Sequence, residues 1–229
     1  LDEYGDVIPD LSTKGALASG VPGTIAGIFE AQAKFGKLKP AEILQPVIDL
    51  ARNGFVVTKA QAERLQRNRE VFVEVNGPET FFAKEIKEGD TLKIPVLAST
   101  LERIAKNGRD EFYKGETAKI LARHMQEKGG IITEADLAAY EAAWRDPIVF
   151  PYRDLKIISM APPSSGGITL AQILSMLEQH DLKKLDHHSP EYIQLLVEAE
   201  RRAYADRNFY LGDPDFVKIP VDQLLDKEY

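Results

Sequence analysis

The most conspicuous candidate for chemistry is the run Ser164-Ser165-Gly166-Gly167, which places two hydroxyl groups beside two glycines. It lies between a predicted strand and a predicted helix, where free backbone N–H groups can hold an anion. The run lacks the glycine spacing and lysine of a phosphate-binding loop and the Gly-x-Ser-x-Gly pattern of a nucleophile elbow. We interpret it as a tight turn that caps a helix; a contact to an anion or substrate carboxylate and a catalytic serine are the alternatives.

The histidines do not have the spacing of a metal or catalytic site. The chain contains four of them: His124, His180, His187 and His188. No pair has the His-Glu-x-x-His spacing that puts two imidazoles on one helix face. His187 and His188 are adjacent, so in an extended loop their side chains would point apart. His124 is interpreted as a boundary residue of a helix rather than a general base, and we predict no metal site.

Charged residues crowd one predicted helix near the end of the sequence. They are Glu198, Glu200, Arg201, Arg202, Asp206 and Arg207. Opposite charges at a spacing of three or four residues usually form surface pairs worth about 0.2–0.5 kcal/mol each. Surface pairs are the favoured interpretation, and partly buried pairs that brace a subunit interface are the alternative. No pair of carboxylates stands out for glycoside hydrolysis.

Composition excludes several classes of protein. With 44% hydrophobic and 28% charged residues, the 229-residue chain is typical of a globular protein. Its formal net charge of −7 disfavours a nucleic-acid partner, because phosphate binding needs a concentrated basic face. The densest basic stretch, Arg64 to Arg69, alternates with Gln and Asn and is typical of a solvated helix face. The absence of cysteine excludes disulfides, thiolate metal sites and a Cys nucleophile.

The elements that would position these residues are mainly helical. Periodicity, caps and breakers predict seven helices: Thr24 to Phe35, Pro40 to Asn53, Ser99 to Asn107 from a Ser99/Glu102 capping box, Glu116 to Lys128, a helix opened by Thr133 and Asp136, Ile168 to Glu178, and Ser189 to about Tyr210. Pro46 should either kink the second of these helices or start a second short helix. Alternation predicts strands over Val71 to Val75, Ile148 to Phe150 and Lys156 to Met160. We therefore expect a mainly helical α+β fold, with residues 1–229 forming a single domain.

Three features bear on the setting of these elements. Ile168 to Glu178 has almost no polar face, so that helix is expected to be buried. No apolar run approaches the roughly 20 residues needed to span a bilayer. The chain begins at Leu1 rather than Met, which is compatible with a removed signal peptide, and the tail Val221 to Tyr229 is expected to be an interrupted helix.

Several stretches together resemble the γ-glutamyltranspeptidase family. They are Leu17 to Gly27 (LASGVPGTIAG), Gln45-Pro46 with Leu50 to Phe55, Asn107 to Gly115 (NGRDEFYKG), Gly129 to Thr133 with Asp136-Leu137, Pro162 to Gly167, and Glu198-Ala199 with Ala203 to Arg207 and Tyr210 to Val217. Each is weakly specific alone. They occur in family order from Leu17 to about Pro220, which makes the resemblance specific and extends it over nearly the whole chain.

The resemblance implies an N-terminal-nucleophile hydrolase with an αββα fold, of which this chain would be a large-subunit fragment. In this family a precursor cleaves itself, and the new N-terminal threonine of the small subunit becomes the nucleophile, with its own α-amine as base. The γ-glutamyl group of glutathione or a related amide then passes to water, an amino acid or a peptide. The resemblance also implies a periplasmic or secreted location. It implies no cofactor.

The family pattern also implies that no catalytic residue lies in this chain. The nucleophile belongs to a Thr-Thr-His-type junction, and no Thr-Thr pair occurs here. The serine pair and the acidic residue that hold substrate belong to the small subunit, whereas Ser164-Ser165 stands in the large-subunit turn. The arginine that grips the substrate carboxylate belongs to a Phe-Arg-Glu-type motif, which is also absent. The expected partner is therefore the small subunit from the same precursor, and the chain alone is expected to be inactive.

Alternatives remain within and outside this superfamily. A glutaryl or cephalosporin acylase and an enzyme that processes poly-γ-glutamate share the implied fold, and the small subunit would hold the pocket that discriminates among them. A non-catalytic helical interaction domain is the alternative from a different class, because no nucleophile–base pair can be assembled here. Gly20 to Thr24 and Pro162 to Gly167 are expected to shape backbone near the small-subunit interface, since glycine permits close approach.

Overall fold

A computed structural model describes residues 3–229, which group into two compact units. The first ends at Ala142 and the second begins at Ala143. Both are mainly helical and carry one short antiparallel strand pair each. The mainly helical α+β prediction is confirmed, whereas a single domain over residues 1–229 stays a prediction.

The first unit contains seven helices and two short strands among its described residues. In chain order they are α1 (Thr24–Phe35), α2 (Pro40–Asn53), β1 (Phe55–Val56), α3 (Lys59–Asn76), β2 (Thr91–Leu92), α4 (Pro95–Asn107), α5 (Arg109–Tyr113), α6 (Glu116–Glu127) and α7 (Glu134–Ala139). Strands β1 and β2 pair antiparallel, with Phe55 opposite Leu92. Single 3₁₀ turns lie at Ala16–Ala18 and Phe81–Ala83.

Helices α1 and α2 have the predicted bounds. Pro40 occupies the first turn of α2, where its missing N–H costs nothing, and the backbone N–H of Lys39 donates to Glu42. Pro46 lies inside α2, and the helix continues through it to Asn53 as one element. Gly54 then ends the helix at φ +95°, a conformation that favours glycine.

The predicted start of α4 was wrong. The helix begins at Pro95, one turn before the predicted cap, and Ser99 lies inside it. The Ser99 hydroxyl donates to the carbonyl oxygen of Pro95 at 3.1 Å, the usual bond of a mid-helix serine. Proline in the first turn supplied a start signal that the capping-box spacing obscured.

The strand predicted over Val71 to Val75 was also wrong, because these residues complete α3. Thr58 caps that helix by accepting from the Gln61 N–H, and strong helix formers follow. Once nucleated, a helix adds residues at low cost, so a short β-branched run at its end is carried along. The basic stretch Arg64 to Arg69 is exposed on this helix, as predicted.

Two hydrophobic clusters stabilise the first unit. The larger consists of Ala26, Tyr113, Ala118, Ala122, Met125, Ile132 and Leu137. The smaller joins α2 to α4 through Ile48, Ala51 and Ala98. On α6 the buried stripe runs through Ala118, Ala122 and Met125, so Ile120 is 48% exposed on another side of the helix. The helix ends before Gly129 (φ +72°), as predicted.

The second unit consists of a β-hairpin and three helices among its described residues. They are β3 (Ile148–Tyr152), β4 (Leu155–Ser159), α8 (Gly166–Glu178), α9 (Pro190–Tyr210) and α10 (Val221–Leu225), with a 3₁₀ turn at Leu182–Lys184. The hairpin pairs Ile148 with Ser159 and Tyr152 with Leu155, which confirms the two predicted strands. Its loop is shorter than predicted, because Pro151 and Tyr152 belong to β3.

Helix α9 begins as predicted, with the Ser189 hydroxyl accepting from the Tyr192 N–H. It packs on α8, and the core of the unit consists of Ile148, Phe150, Ile168, Ala171 and Leu224. Helix α8 is buried only in part, since Leu170 is 39% exposed although the helix is apolar on nearly every side. Within residues 3–229 no helix is both long and apolar enough to cross a bilayer.

Candidate functional site

The Pro162 to Gly167 turn connects β4 to α8, as the sequence indicates. The Ser164 N–H donates to the carbonyl oxygen of Ala161 at 3.1 Å, and the Ser164 hydroxyl accepts from the Gly166 N–H at 3.3 Å. Ser165 precedes the helix and makes no capping bond through its side chain. The geometry therefore matches a tight turn that opens a helix, with the Ser164 hydroxyl used by the turn itself.

The two glycines of this turn differ in their surroundings. Gly167 is buried, and a Cβ there would lie far inside van der Waals contact of the Met160 carbonyl oxygen and 3.0 Å from Ile148 Cβ. At Gly166 the nearest atom to an added Cβ is Ser164 Oγ at 3.5 Å, an ordinary contact. Only Gly167 is thus required by the close approach of the hairpin to α8.

A buried tyrosine is hydrogen-bonded to the second glycine-containing turn, Gly20 to Thr24. Tyr113 has no exposed surface, and its hydroxyl donates to the Pro22 carbonyl oxygen at 2.7 Å. The same hydroxyl accepts from the Ala26 N–H at 3.1 Å, which satisfies a donor in the first turn of α1. Burial raises the pKa of Tyr113, against the opposing effect of the Ala26 hydrogen bond.

An aromatic and cationic stack surrounds Tyr113. The Tyr140 ring stacks on it at 5.6 Å between centroids and 7° between planes, and the Arg109 guanidinium lies 4.6 Å from the Tyr113 ring centroid. Arg109 also donates to the Tyr140 carbonyl oxygen. Gly23 lies against the Tyr140 hydroxyl so closely that a Cβ would overlap it. These contacts fix the turn before α1 from two separate elements, α5 and the end of α7.

A buried ionic cluster joins α4, α5 and α6. Arg103 Nε donates to Glu111 Oε1 at 2.9 Å, and the Thr117 N–H and hydroxyl donate to the same oxygen at 3.2 and 3.0 Å. Burial alone would raise the pKa of Glu111, but the hydrogen bonds from Arg103 and Thr117 outweigh it and lower that pKa below its usual range. Glu111 is therefore held as a structural carboxylate.

Sequence reasoning missed both the Tyr113 and the Glu111 clusters. Ala26 and Tyr113 are 87 positions apart in the sequence. Arg103 and Glu111 are eight positions apart, on two helices separated at Gly108. The only signal was that Glu111 and Tyr113 fall within the Asn107 to Gly115 stretch that carries part of the family resemblance.

The histidines lie apart from these clusters, with one correction to the prediction. His187 and His188 do not point apart, because their rings stack at 3.8 Å between centroids beside Tyr192. The backbone of His188 has φ +63°, so the extended loop assumed in the prediction does not form. His124 is exposed on α6 and His180 follows α8. In the described part of the chain, no three His, Asp or Glu side chains converge in a way that could hold a metal ion.

The charged residues of α9 form surface pairs, as favoured. Glu198 pairs with Arg202 at 2.6 Å and with Arg201 at 2.9 Å, and these hydrogen bonds hold the pKa of Glu198 below its usual range. Asp206 is different, since it accepts from Gln172 Nε2 of α8 at 2.7 Å and from the Tyr229 hydroxyl at 3.2 Å. It therefore binds two helices and the tail together.

The whole described chain carries the features of one known family. The family model described as Gamma-glutamyltranspeptidase matches residues 2–229. The chain belongs to the γ-glutamyltranspeptidase family. The family resemblance drawn from the six motif stretches is thereby confirmed.

Curated relatives of this γ-glutamyltranspeptidase-family chain include enzymes with two kinds of name. It is 47% identical to the glutathione hydrolase proenzyme of Escherichia coli K12 over 100% of this chain and 40% of that protein. It is 40% identical to the acylase ACY 1 proenzyme of Pseudomonas sp. SE83 over 94% of this chain and 39% of that protein. The chain thus spans about two fifths of the length of these relatives.

Solved structures of the family have the same fold. The γ-glutamyltranspeptidase of Helicobacter pylori superimposes with a TM-score of 0.94 and 44% identity, covering 100% of this chain and 67% of that one. The γ-glutamyltranspeptidase of Pseudomonas nitroreducens, solved in complex with L-DON, gives a TM-score of 0.93 at 46% identity, covering 100% of this chain and 69% of that one. The predicted fold, part of an N-terminal-nucleophile hydrolase, is confirmed.

Proposed function

We propose that the protein to which residues 1–229 belong transfers or hydrolyses γ-glutamyl groups, taken from glutathione or a related γ-glutamyl amide and passed to amino acids, peptides or water. The observation that carries this proposal is the family match over residues 2–229, together with 47% identity to a glutathione hydrolase proenzyme across the whole chain. The chain spans only part of its relatives, so the activity belongs to the complete protein.

Within that protein, residues 1–229 form part of the large subunit and supply no catalytic residue. The nucleophile is the N-terminal threonine that self-cleavage creates on the small subunit, which is the expected partner. Two observations support this division: the relatives are named as proenzymes, and no Thr-Thr pair occurs here. The Ser164 hydroxyl accepts a hydrogen bond from the Gly166 N–H within its own turn, which fits a structural role.

The two glycine-containing turns, Gly20 to Thr24 and Pro162 to Gly167, shape backbone near the small subunit in this proposal. Two observations support this role. Backbone approaches Gly167 closely, and Tyr113 and Tyr140 contact the turn at Pro22 and Gly23. If Gly166→Ala and Gly23→Ala in the full-length precursor both leave self-cleavage and turnover unchanged, this role is dropped. A periplasmic or secreted location completes the proposal and follows from family resemblance alone.

Turnover of γ-glutamyl-p-nitroanilide by the full-length, self-cleaved protein tests the function. We expect release of p-nitroaniline, faster when an acceptor dipeptide is added if transfer competes with hydrolysis. Absence of turnover of both γ-glutamyl-p-nitroanilide and glutaryl-p-nitroanilide by the self-cleaved protein would favour the non-catalytic interaction domain.

Serine variants of the same protein test the assignment of no catalytic residue. Ser164→Ala and Ser165→Ala should each keep turnover within about threefold, because neither hydroxyl reacts. Loss of a nucleophile lowers turnover by about 10⁴-fold or more. A loss of that size in either variant, with self-cleavage intact, would place the nucleophile in this chain and overturn the assignment.

A second candidate is an acylase that removes glutaryl-type side chains from β-lactams. The observation in its favour is the 40% identity to an acylase proenzyme over 94% of this chain. A glutaryl amide lacks the α-amine of a γ-glutamyl amide, so the two p-nitroanilides differ in one cationic group. A site built to pair that amine discriminates strongly against its absence. Faster turnover of glutaryl-p-nitroanilide would select the acylase.

A further inference from the structure

The dipeptide Asn-Gly occurs three times in the sequence, and each time its asparagine is the last residue of a helix. Asn53 ends α2, Asn76 ends α3 and Asn107 ends α4. All three asparagines are exposed. A backbone nitrogen can attack the side-chain amide of a preceding asparagine, and glycine hinders this approach least because it has no side chain. The three pairs therefore carry the same reactive groups in the same kind of setting.

In the folded chain the attacking nitrogen of each pair is bonded within its helix. Each glycine N–H donates to the carbonyl oxygen four residues earlier, at 2.9 Å for Gly54 and at 2.8 Å for Gly77 and Gly108. The Asn76 side-chain amide also donates, to the Phe72 carbonyl oxygen at 3.2 Å. Attack on the side-chain carbon thus requires the last helical turn to open first. The rate at each pair depends on how often that turn opens.

The last turns of α2 and α4 each contain a buried residue. Ala51 is 5% exposed, and its carbonyl oxygen accepts from the Ile94 N–H at 2.7 Å. Ile104 is 1% exposed, and α5 begins at Arg109, directly after Gly108. Opening either turn would expose these groups to water. Exposure of a buried isoleucine alone lowers the open population by roughly ten- to a hundredfold.

The last turn of α3, residues 73–76, is held less firmly. No residue of α3, all of which the structure describes, is buried. Glu74 pairs with Lys14 at 3.6 Å, an exposed ion pair of small energy. Apart from the chain neighbours of Gly77, no described atom lies within 4 Å of the position that a Cβ there would take. Opening this turn therefore exposes no buried side chain.

The composition of this turn also favours opening. Val73 and Val75 are two of its four residues, and valine is a poor helix former because its branched side chain is restricted in a helix. The last turns of α2 and α4 consist of stronger helix formers before their asparagines, with Leu50 and Ala51 in one and Ala105 and Lys106 in the other. Burial and helix propensity thus agree that the end of α3 opens most readily of the three.

We propose that Asn76 is a site of spontaneous deamidation, whereas Asn53 and Asn107 are protected by the helices that they end. In the opened turn the Gly77 nitrogen bonds to Asn76 Cγ, and the side-chain amino group leaves as ammonia with the proton of that nitrogen. A five-membered succinimide results. Water then opens the ring at either carbonyl carbon and gives aspartate or isoaspartate. In sum, one amide and one water become one carboxylate and one ammonium ion.

The product changes the end of α3 in two ways. It places a negative charge at the C-terminus of the helix, where the helix dipole disfavours one. Isoaspartate also adds a carbon atom to the backbone, which is incompatible with helical geometry at that residue. The last turn therefore stays open after the reaction. This modification is additional to the proposed activity and does not depend on it.

Incubation of the full-length, self-cleaved protein in mildly alkaline buffer tests the proposal. Cleavage after lysine places the three pairs on separate fragments, which end at Lys59, Lys84 and Lys114. Tandem mass spectrometry then measures the conversion of amide to carboxylate at each asparagine over time, and a sample digested before incubation gives the background. The same incubation of denatured protein gives the reactivity of each pair without the fold. The ratio of the denatured rate to the native rate is the protection of that pair.

Asn76→Gln is the matched control variant. Its side chain is longer by one CH₂ group, so attack by the Gly77 nitrogen would need a six-membered ring, which forms far more slowly. The product on the fragment ending at Lys84 should therefore disappear, although Asn68 lies on the same fragment. Persistence of that product in the variant would place the reaction at another residue and overturn the assignment.

We expect the protection of Asn76 to be smaller than that of Asn107 by about tenfold or more, because only the second requires exposure of a buried isoleucine. Asn53 should also be better protected than Asn76. Equal protection at the three pairs, or greater protection at Asn76, would overturn the proposal. A native protein without product at Asn76, after an incubation that converts most of the denatured protein, would overturn it as well. Turnover of γ-glutamyl amides enters none of these outcomes.

Discussion

The adjacent glycines at the start of α8 give a matched pair of substitutions with opposite expected effects. In Gly167→Ala the new Cβ meets the Met160 carbonyl oxygen, which is backbone, and lies 3.0 Å from Ile148 Cβ. Overpacking of this kind costs about 1–3 kcal/mol, and the upper half of that range applies because backbone yields less readily than a side chain. Alanine also makes the unfolded chain less flexible, which stabilises the folded state by about 0.4–1 kcal/mol. The net loss in the free energy of unfolding is therefore about 2 kcal/mol.

Gly166→Ala should instead be neutral or slightly stabilising. Its Cβ would meet only Ser164 Oγ at 3.5 Å, so the gain from reduced unfolded-state entropy, about 0.5 kcal/mol, is not offset. The assay is thermal denaturation of the full-length, self-cleaved protein. Gly167→Ala should lower the free energy of unfolding by about 2 kcal/mol and therefore lower Tm, and Gly166→Ala should not lower it. Equal losses for the two variants would refute the close-approach argument.

Two further predictions concern the buried clusters. Tyr113→Phe leaves the Pro22 carbonyl oxygen without its donor and the Ala26 N–H without its acceptor, so we expect about 2 kcal/mol of destabilisation and a lower Tm; an unchanged Tm would contradict this. Glu111 has a lowered pKa in the folded state, so its stabilising contribution is present above the unfolded pKa, about 4.3, and is lost as pH falls through the folded value. Glu111→Gln should therefore be less stable than the parent protein near pH 6, and its stability should fall less than that of the parent as the pH is lowered. Tm measured for both proteins from pH 3 to 6 checks this.

Local signals predicted most helix starts and ends correctly. The serine–proline start at Ser189 and the Thr133/Asp136 capping box each operate over three or four residues, so their geometry is already present in the sequence. The errors at Ser99 and at Val71 to Val75 arose because these predictions also relied on local signals alone. In both places a helix that began earlier in the chain extended through residues whose local pattern favoured something else.

The candidate site was less predictable than the elements that carry it. The motif order identified the family, and with it the expectation that no catalytic residue lies in this chain. It could not identify Gly167, rather than Gly166, as the glycine that packing requires. That distinction depends on the Met160 carbonyl oxygen, which reaches Gly167 only after the hairpin has docked on α8.

The sequence by itself determined the family, the helical bounds set by caps and glycines, and the absence of a cysteine or a Thr-Thr nucleophile junction in these residues. The tertiary structure alone decided which polar groups meet: the Tyr113 hydroxyl with Pro22 and Ala26, and Glu111 with Arg103. The physical reason is range: capping and periodicity act within a few residues, whereas burial and long-range hydrogen bonds exist only after distant segments have packed together.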